Sequence, residues 1–262
     1  MNPSPPTGST LRRHLYQGLQ RRGRRRAFAR LEPWYTRFVI DGEVYGGSAD
    51  LSGDERPHAL VEAFPDARRV LELGAQEGGH SFVLAGFPGV EEVVAVEGRP
   101  ANVARAQLVQ RLTGQHKIRF VLANLETDPL QRLGRFDAVF CSGLLYHLPE
   151  PWRLIEEIGG VSDRLFLCTH YAREQDATLT QGGFRGARYA ELGLADPMSG
   201  LSTDSFWPTL AELHRMLTEQ GFSDTNHLWD RTDHPHGPRI TMTAVRHRGY
   251  RPDEPSHAYL AN

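Results

Sequence analysis

The pattern of apolar and polar positions alternates between two periods along the middle of the chain. Short apolar runs read "RRVLELG", "EEVVAVEG", "IRFVLANL", "FDAVFCSG" and "DRLFLCTH", and each is typical of a buried strand. Helical patterns lie between them at residues 78–86, 99–113 and 151–159, and a shorter segment, 126–134, separates the third run from the fourth. This alternation predicts a parallel sheet covered by helices on both faces.

The two ends of the chain follow other patterns. Residues 11–30 place apolar side chains near helical spacing, and "YTRFVIDGEVYGG" alternates around an Asp-Gly pair as a hairpin does. Towards the other end, residues 205–220 predict a helix that opens with Phe206 and Trp207, and "NHLWD" and "RITMTAVRH" predict a hairpin. Residues 171–204 are rich in glycine, lack a clear period and are too long for a plain connection.

Charge is distributed unevenly along the 262 residues. The net charge is −2, yet residues 1–31 contain eight arginines and no acidic residue, which leaves a net charge of −10 on the remainder. An acidic body favours a small-molecule substrate over a nucleic acid. The basic arm leaves open contact with RNA, an anionic substrate or a lipid surface, or simply a solvated Arg-rich helix.

Cysteine usage and hydropathy bear on the compartment. Cys141 and Cys168 each end an apolar run, which is typical of buried thiols in a reducing environment. No apolar run approaches the ~18 residues of a membrane helix, and the N-terminus lacks the apolar region of a secretory signal. We therefore expect a cytoplasmic protein without a membrane span; the sequence predicts no particular oligomeric state.

Polar side chains follow three successive strand-like runs. A loop that begins with Glu72 and contains Gly74 and Gly78 follows the first, Glu97 ends the second and Asn124 follows the third. Open parallel sheets bind ligands at the carboxyl ends of their strands. Glycines let the backbone approach a ligand, a carboxylate can accept both hydroxyls of a ribose, and an amide can face an adenine edge.

This arrangement resembles the class I S-adenosylmethionine-dependent methyltransferases. Their first motif, an acid followed by glycines at alternate positions, matches Glu72, Gly74 and Gly78, with Gln76 in place of the middle glycine, and their fourth motif resembles "FDAVFCSGLLYHLPEP" at residues 136–151. The resemblance covers about residues 55–170 and 205–247. It implies cofactor contacts from Glu72, Gly74, Ala75, Gln76, Gly78, Glu97, Gly98, Asn124, Leu125, Cys141 and Ser142.

The resemblance implies an α/β fold: a doubly wound, Rossmann-like seven-stranded sheet with the last strand antiparallel, plus an N-terminal helical cap. It divides the chain into an Arg-rich arm and cap at 1–54 and a methyltransferase domain at 55–262, with the substrate-side insertion at 171–204. The implied cofactor is S-adenosyl-L-methionine, whose ammonium and sulfonium explain a carboxylate at the start of the glycine loop. No metal is expected, because "DHPHGP" reads as an exposed turn.

Two histidines are placed to take a proton from an acceptor. His147 lies in "LLYHLPEP" and His170 ends "LFLCTH", and an imidazole suits an oxygen or nitrogen nucleophile. Either histidine can instead merely hydrogen-bond a neighbouring loop. Tyr146, Phe184 and Tyr189 are candidates for the substrate lining, the last two from the glycine-rich insertion, which we expect to close over the site as a lid.

Several alternatives stay open. Dinucleotide dehydrogenases also carry a glycine loop, but with a G-x-G-x-x-G spacing that this chain lacks. The segment around His147 is also similar to enzymes that modify wobble uridine in tRNA, which makes RNA a second candidate substrate. Gln76 and Asn124 leave room for an interaction protein that keeps the fold without the chemistry. In the hairpin predicted at residues 35–47, Arg37 and Tyr45 are candidates to bind the carboxylate of the cofactor.

Overall fold

The structure, a computed structural model, describes the backbone of residues 8–246 and the side chains of residues 19–246. Arg12 and Arg13 of the predicted basic arm therefore lie outside the described side chains. Within the described range the α-helices are α1 (Gly8–Ala29), α2 (Glu55–Ala63), α3 (Gly79–Gly86), α4 (Pro100–Thr113), α5 (Pro151–Val161) and α6 (Leu210–Glu219).

The strands follow the predicted alternation in the middle of the chain and add a small sheet after it. They are β1 (Arg37–Ile40), β2 (Glu43–Gly46), β3 (Arg69–Leu73), β4 (Glu92–Glu97), β5 (Ile118–Leu122), β6 (Ala138–Ser142), β7 (Arg164–His170), β8 (Leu179–Gln181), β9 (Phe184–Ala190), β10 (Asp204–Pro208), β11 (Phe222–Arg231) and β12 (Arg239–Arg246). Short 3₁₀ turns occupy Leu130–Leu133, Leu145–His147 and Gly193–Ala195.

The central sheet has seven strands in the order β11-β12-β7-β6-β3-β4-β5. The five strands from β3 to β7 are mutually parallel, and β12 inserts antiparallel between β7 and β11. The predicted doubly wound sheet with a last antiparallel strand is therefore confirmed. The carboxyl ends of the five parallel strands meet at one edge.

Apolar side chains cover both faces of this sheet. Leu154 of α5 and Leu213 of α6 are buried on one face, and Leu60 of α2 and Leu84 of α3 are buried on the other. The predicted hairpin is also present, because β1 pairs antiparallel with β2. Helix α1 and this hairpin pack on α4 through a separate apolar cluster that contains Phe28, and together they form the predicted N-terminal cap.

The helix predicted at 205–220 is wrong over its first residues. Phe206 and Trp207 lie on β10, which pairs antiparallel with β9, and α6 begins only after Thr209, whose side chain accepts a 3.3 Å hydrogen bond from the backbone of Glu212. The glycine-rich insertion forms β8 and β9 of this second sheet. Position 186 in β9 requires glycine, because a Cβ there would lie 2.2 Å from the carbonyl oxygen of Trp207 in β10. This glycine interrupts the alternation of apolar and polar residues by which a strand is recognised in the sequence.

Candidate functional site

A cavity of about 260 Å³ lies at the carboxyl edge of the parallel strands. The turn after β3, the end of β4, the loop after β5 and the end of β6 form its floor, while residues 197–201 of the insertion contribute its roof. The predicted site residues that line it are Gly74, Ala75, Gln76, Glu97, Gly98, Asn124, Leu125, Ser142, Tyr146 and His147. Topology therefore gathers most of the sequence-predicted residues in one place.

The turn after β3 has the backbone geometry that its glycines allow. Gly78 has φ +83°, and a Cβ there would lie 2.9 Å from the ring of Phe120, so this position requires glycine. Gln76 occupies the left-handed region at φ +51° without being glycine. Its side chain leaves the turn, and its Nε2 lies 3.1 Å from Sδ of Met198 in the insertion.

Glu97, at the end of β4, binds the backbone on both sides of the cavity floor. Its Oε2 accepts a 2.8 Å hydrogen bond from the backbone N–H of Gln76, and its Oε1 accepts one of 2.8 Å from the backbone N–H of Arg99. Burial raises the pKa of Glu97, against these hydrogen bonds, which lower it. Nδ2 of Asn102 donates a third hydrogen bond, of 3.3 Å, to Oε1. A carboxylate has about four acceptor positions, so about one remains for a ligand on the cavity side.

Glu72 lies behind the turn, outside the cavity wall. It is buried, and its Oε2 accepts a short hydrogen bond from the hydroxyl of Ser81. Burial raises the pKa of Glu72 to about 8, and the nearby charge of Glu97 acts in the same direction. Without a cationic ligand, the carboxyl group is therefore neutral at pH 7.

The loop after β5 closes one end of the cavity. Oδ1 of Asn124 accepts a 2.9 Å hydrogen bond from the backbone of Glu126. Oε2 of Glu126 accepts a 2.6 Å hydrogen bond from Ser202, whereas its Oε1 is shielded from water and has no hydrogen-bond partner among the described residues. A buried acceptor without a partner is costly, and Glu126 lines the β5 end of the cavity.

The opposite end of the cavity is lined by Arg56, which is paired with Asp54. The Nη1 atom of Arg56, on α2, donates a 2.9 Å hydrogen bond to the hydroxyl of Ser142 at the end of β6. Asp54 holds the guanidinium in place through Nε at 2.9 Å and Nη2 at 2.5 Å. Burial alone would raise the pKa of Asp54, but hydrogen bonds from Arg56 and His80 hold it far below its usual value. Arg37 instead pairs with Asp50 outside the cavity wall.

The N-terminal cap reaches the cavity through Tyr35. The carboxylate of Glu77, which is buried, accepts hydrogen bonds of 3.1 Å from the backbone of Tyr35 and 2.6 Å from that of Thr36. Tyr35 then forms part of the cavity wall, whereas Tyr45 is buried in the apolar cluster of the cap. The cap therefore contributes to the site because Glu77 of the glycine loop anchors it.

His147 is held at the wall of the cavity by a carboxylate that the sequence did not reveal. Its Nδ1 lies 2.9 Å from Oε1 of Glu191, and these side chains are only 18% and 11% exposed. Burial alone would raise the pKa of Glu191, but hydrogen bonds from Ser199 and His147 lower it. With Nδ1 engaged, Nε2 is the ring nitrogen left for a substrate.

His170 belongs to an aromatic cluster beside the cavity. Its Nδ1 lies 3.0 Å from the carbonyl oxygen of Gly237, and its ring stacks on Trp207 at 5.0 Å. Burial lowers the pKa of His170 to about 4. Tyr146, which does line the cavity, contacts both His147 and His170, with ring centroids 4.2 and 4.7 Å apart.

Six of the predicted site residues do not reach the cavity wall. Phe184 is buried against Trp152, and Tyr189 packs on Trp207 with ring centroids 4.1 Å apart. Cys141 is fully buried in β6, and burial raises its pKa to about 12. The remaining three are Glu72, Gly78 and His170.

Sequence reasoning missed Arg56, Glu126 and Glu191. Their neighbours along the chain gave no motif, because each acts through a partner more than 40 residues away: Ser142, Ser202 and His147. Among the described residues, no group of three or more histidine, cysteine, aspartate or glutamate side chains is arranged to hold a metal ion, and none of the described helices could span a membrane.

Residues 71–163 match the protein family described as "Methyltransferase domain". The N-terminal domain of EvdMO1, solved in the presence of S-adenosylhomocysteine (SAH) and D-fucose, is 36% identical with a TM-score of 0.79. That alignment covers 87% of this chain and 97% of the domain. In the structure of EvdMO1 itself, this chain covers 47% of the longer protein, at 33% identity and a TM-score of 0.69.

Curated relatives match over shorter stretches. The tRNA U34 carboxymethyltransferase of Shewanella pealeana is 33% identical over 99 residues, which are 37% of this chain and 28% of that protein. The chain therefore spans less than half the length of the curated relatives that it matches.

Proposed function

Since the chain belongs to the class I S-adenosylmethionine-dependent methyltransferases, we propose that it methylates a hydroxyl oxygen of a small polyhydroxylated acceptor. The observation that carries this proposal is the His147–Glu191 pair at the wall of the cavity, with 2.9 Å between Nδ1 and Oε1. A hydroxyl must lose its proton as it attacks, and a carboxylate-oriented imidazole is suited to accept it.

The residues around the cavity fit the cofactor, S-adenosylmethionine. Glu97 has an acceptor position free for a ribose hydroxyl, and the carboxylate of Glu126, which lines the β5 end of the cavity, suits the amino group of an adenine. At the other end, the guanidinium of Arg56 suits the carboxylate of an amino acid. These residues lie along the strand ends from β5 to β6, where the cofactor would bind.

When bound, S-adenosylmethionine supplies an electrophilic methyl group on a sulfonium. The residues around the cavity would hold the acceptor oxygen in line with the bond that is broken, because alignment of the reactants supplies much of the acceleration of methyl transfer. Nε2 of His147 would take the proton that the acceptor hydroxyl loses as its oxygen is methylated. Glu191 stabilises the imidazolium that results and fixes the ring so that Nε2 faces the acceptor.

The acceptor class rests on two lines of support. The N-terminal domain of EvdMO1, which is similar over nearly its whole length, was solved in the presence of D-fucose, a deoxysugar. In this chain, Tyr146 lies next to His147 and presents a buried ring whose pKa burial raises to about 12. Its hydroxyl is therefore protonated at any pH of interest and available as a hydrogen-bond donor to a sugar.

The insertion at 171–204 contributes a lid in this proposal. Met198, Ser199 and Gly200 line the cavity, and Met198 contacts Gln76 of the glycine loop. Water excluded by this roof would otherwise compete for the base and the acceptor.

A tRNA substrate is the second candidate, and one surface favours it. Arg22, Arg26 and Arg30 are exposed at successive i, i+4 positions of α1 and its end, and they have no acidic partner among the described residues. The neighbouring arginines Arg21, Arg24 and Arg25 pair with Asp41 and Glu43 of the β1–β2 hairpin. A row of free guanidiniums of this kind suits a phosphate backbone.

The experiment is a methyl-donor consumption screen with labelled S-adenosylmethionine over free and nucleotide-linked deoxysugars, other small hydroxylated compounds and unmodified tRNA. We expect SAH to form with a sugar, and the product to carry the methyl group on oxygen. Methylation of tRNA alone would replace this proposal by the second candidate. Turnover only of amines or carbon nucleophiles would refute hydroxyl methylation.

A further inference from the structure

The side chain of Arg99 is surrounded by backbone carbonyl oxygens of the insertion. Its Nη2 lies 2.8 Å from the carbonyl oxygens of Gly193 and Asp196, and 3.0 and 3.2 Å from those of Ser199 and Gly200. A guanidinium that satisfies converging carbonyls fixes the course of the backbone that carries them. Arg99 therefore connects the loop of residues 193–200 to the segment that directly follows β4.

The far end of the same loop binds Glu191. Oε2 of Glu191 accepts a short hydrogen bond from the hydroxyl of Ser199 and one of 3.1 Å from the backbone N–H of Gly200. Gly200 also lies against His147 itself, because a Cβ on Gly200 would stand 2.5 Å from the carbonyl oxygen of His147. Ser199 and Gly200 therefore contact both the guanidinium of Arg99 and the carboxylate of Glu191.

We propose that Arg99 is a positioning residue for the base, acting through Ser199 and Gly200 to hold Glu191 against Nδ1 of His147. This inference rests on the proposed function, since it assigns a role in the same proton transfer. The guanidinium of Arg99 binds carbonyl oxygens of this loop, and no hydrogen bond joins it to His147 or Glu191 among the described residues. Its backbone N–H binds Glu97, so one residue connects the ribose end of the site with the orientation of the imidazole.

The backbone and the side chain of Arg99 have separable roles. Substitution of the side chain leaves the N–H that binds Glu97 in place, so the affinity for the cofactor should be retained. The orientation of the base should be lost, because nothing else among the described contacts binds four carbonyls of this loop at once. The signature is a fall in kcat without a matching change in cofactor binding.

The test compares Arg99→Met with Arg188→Met, a control on β9 whose exposed side chain pairs with Asp204 on the outside of the same sheet. One readout needs no substrate: the 1H–15N spectrum of the imidazole of His147, assigned by its loss in His147→Gln. In the wild type, we expect the neutral ring to carry its proton on Nδ1. In Arg99→Met, the Nε2-protonated form should become the major one, and Arg188→Met should resemble the wild type.

The second readout is a double-mutant cycle on turnover. We expect Arg99→Met to lower kcat at least about tenfold while the Kd for SAH changes less than about threefold, and Arg99→Lys to recover part of the rate. In the Glu191→Gln background, Arg99→Met should lower kcat less than about twofold further, because residues that act in one chain of contacts are not additive.

The outcomes separate this inference from the proposed function. An unchanged tautomer of His147 in Arg99→Met, or fully additive losses in the cycle, would overturn the role of Arg99 even if the wild type methylates a sugar. A wild type that turns over no hydroxyl acceptor would refute the proposed function instead, and the tautomer measurement would still judge the contact chain. If Arg99→Met does not fold, Ser199→Ala interrupts the same chain and should shift the tautomer in the same direction.

Discussion

The carboxylate of Glu77 accepts a 2.6 Å hydrogen bond from the backbone N–H of Thr36, 41 residues earlier in the chain. The same carboxylate binds the backbone of Tyr35, which lines the cavity. Because Glu77 lies in the glycine loop, this contact makes the N-terminal cap part of the site and not merely a neighbouring layer.

Glu77→Ala should therefore destabilise the fold. The substitution leaves two backbone N–H groups of the cap without their acceptor, which costs about 2–4 kcal/mol in the free energy of unfolding. Urea denaturation measures this loss, and Glu43→Ala is the control, because its pairs with Arg21 and Arg25 are exposed and worth less than about 1 kcal/mol. Equal losses in the two variants would show that Glu77 does not anchor the cap.

Glu72 predicts a pH dependence of stability with a definite sign. Burial raises the pKa of its carboxyl from 4.5 to about 8, so the native state holds a proton between these values that the unfolded chain has released. The free energy of unfolding should fall as the pH rises through this window, by about 1.4 kcal/mol for each pH unit. Glu72→Gln, which cannot ionise, should lack this contribution. Urea denaturation of the ligand-free protein from pH 5 to 8 tests it, and parallel curves for the two proteins would contradict the buried, neutral carboxyl.

Arg56 is expected to bind the carboxylate of the cofactor. Arg56→Gln should weaken SAH at least about tenfold, since a charge-assisted hydrogen bond is worth roughly 1.5–3 kcal/mol. The loss should be much smaller for the decarboxylated analogue of SAH. Arg37→Gln is the matched control, because Arg37 pairs with Asp50 outside the cavity wall. Calorimetry that finds the same loss for both ligands would place Arg56 away from the carboxylate.

Glu126 is expected to accept the amino group of the adenine. The wild type should prefer SAH over its inosine analogue, which carries an oxygen in place of that amino group, by roughly tenfold or more. Glu126→Gln should reduce the preference, because the amide can donate to the oxygen of the analogue. A preference that is unchanged in Glu126→Gln would mean that Glu126 does not contact the amino group of the adenine.

The sequence predicted the five parallel strands of the central sheet well, and the reason is local. The runs that became β3, β4, β6 and β7 are mainly apolar, and the residues that end them or follow them, such as Gly74, Glu97 and Ser142, reach one cavity because parallel strands share an edge. These predictions needed only the hydropathy of each run and the direction of the chain.

The insertion could not be predicted in the same way. Phe184 was expected at the substrate, but it is buried in the core beside Trp152, because β9 turns this side chain towards the main sheet. Glu191 reaches His147 because it directly follows β9, which pairs with β10. Replacing 178–200 by a flexible linker would therefore remove core packing together with the roof of the cavity, and substitutions at Arg99 or Ser199 test the proposed lid more cleanly.

The rate of methyl transfer to the acceptor by His147→Gln tests the central claim most directly. The account predicts that kcat falls at least about a hundredfold, because a positioned base contributes 10²–10⁴, while the Kd for SAH stays within about twofold of the wild type. A His147→Gln variant that methylates the acceptor at the wild-type rate, or a larger loss in His170→Gln than in His147→Gln, would contradict it.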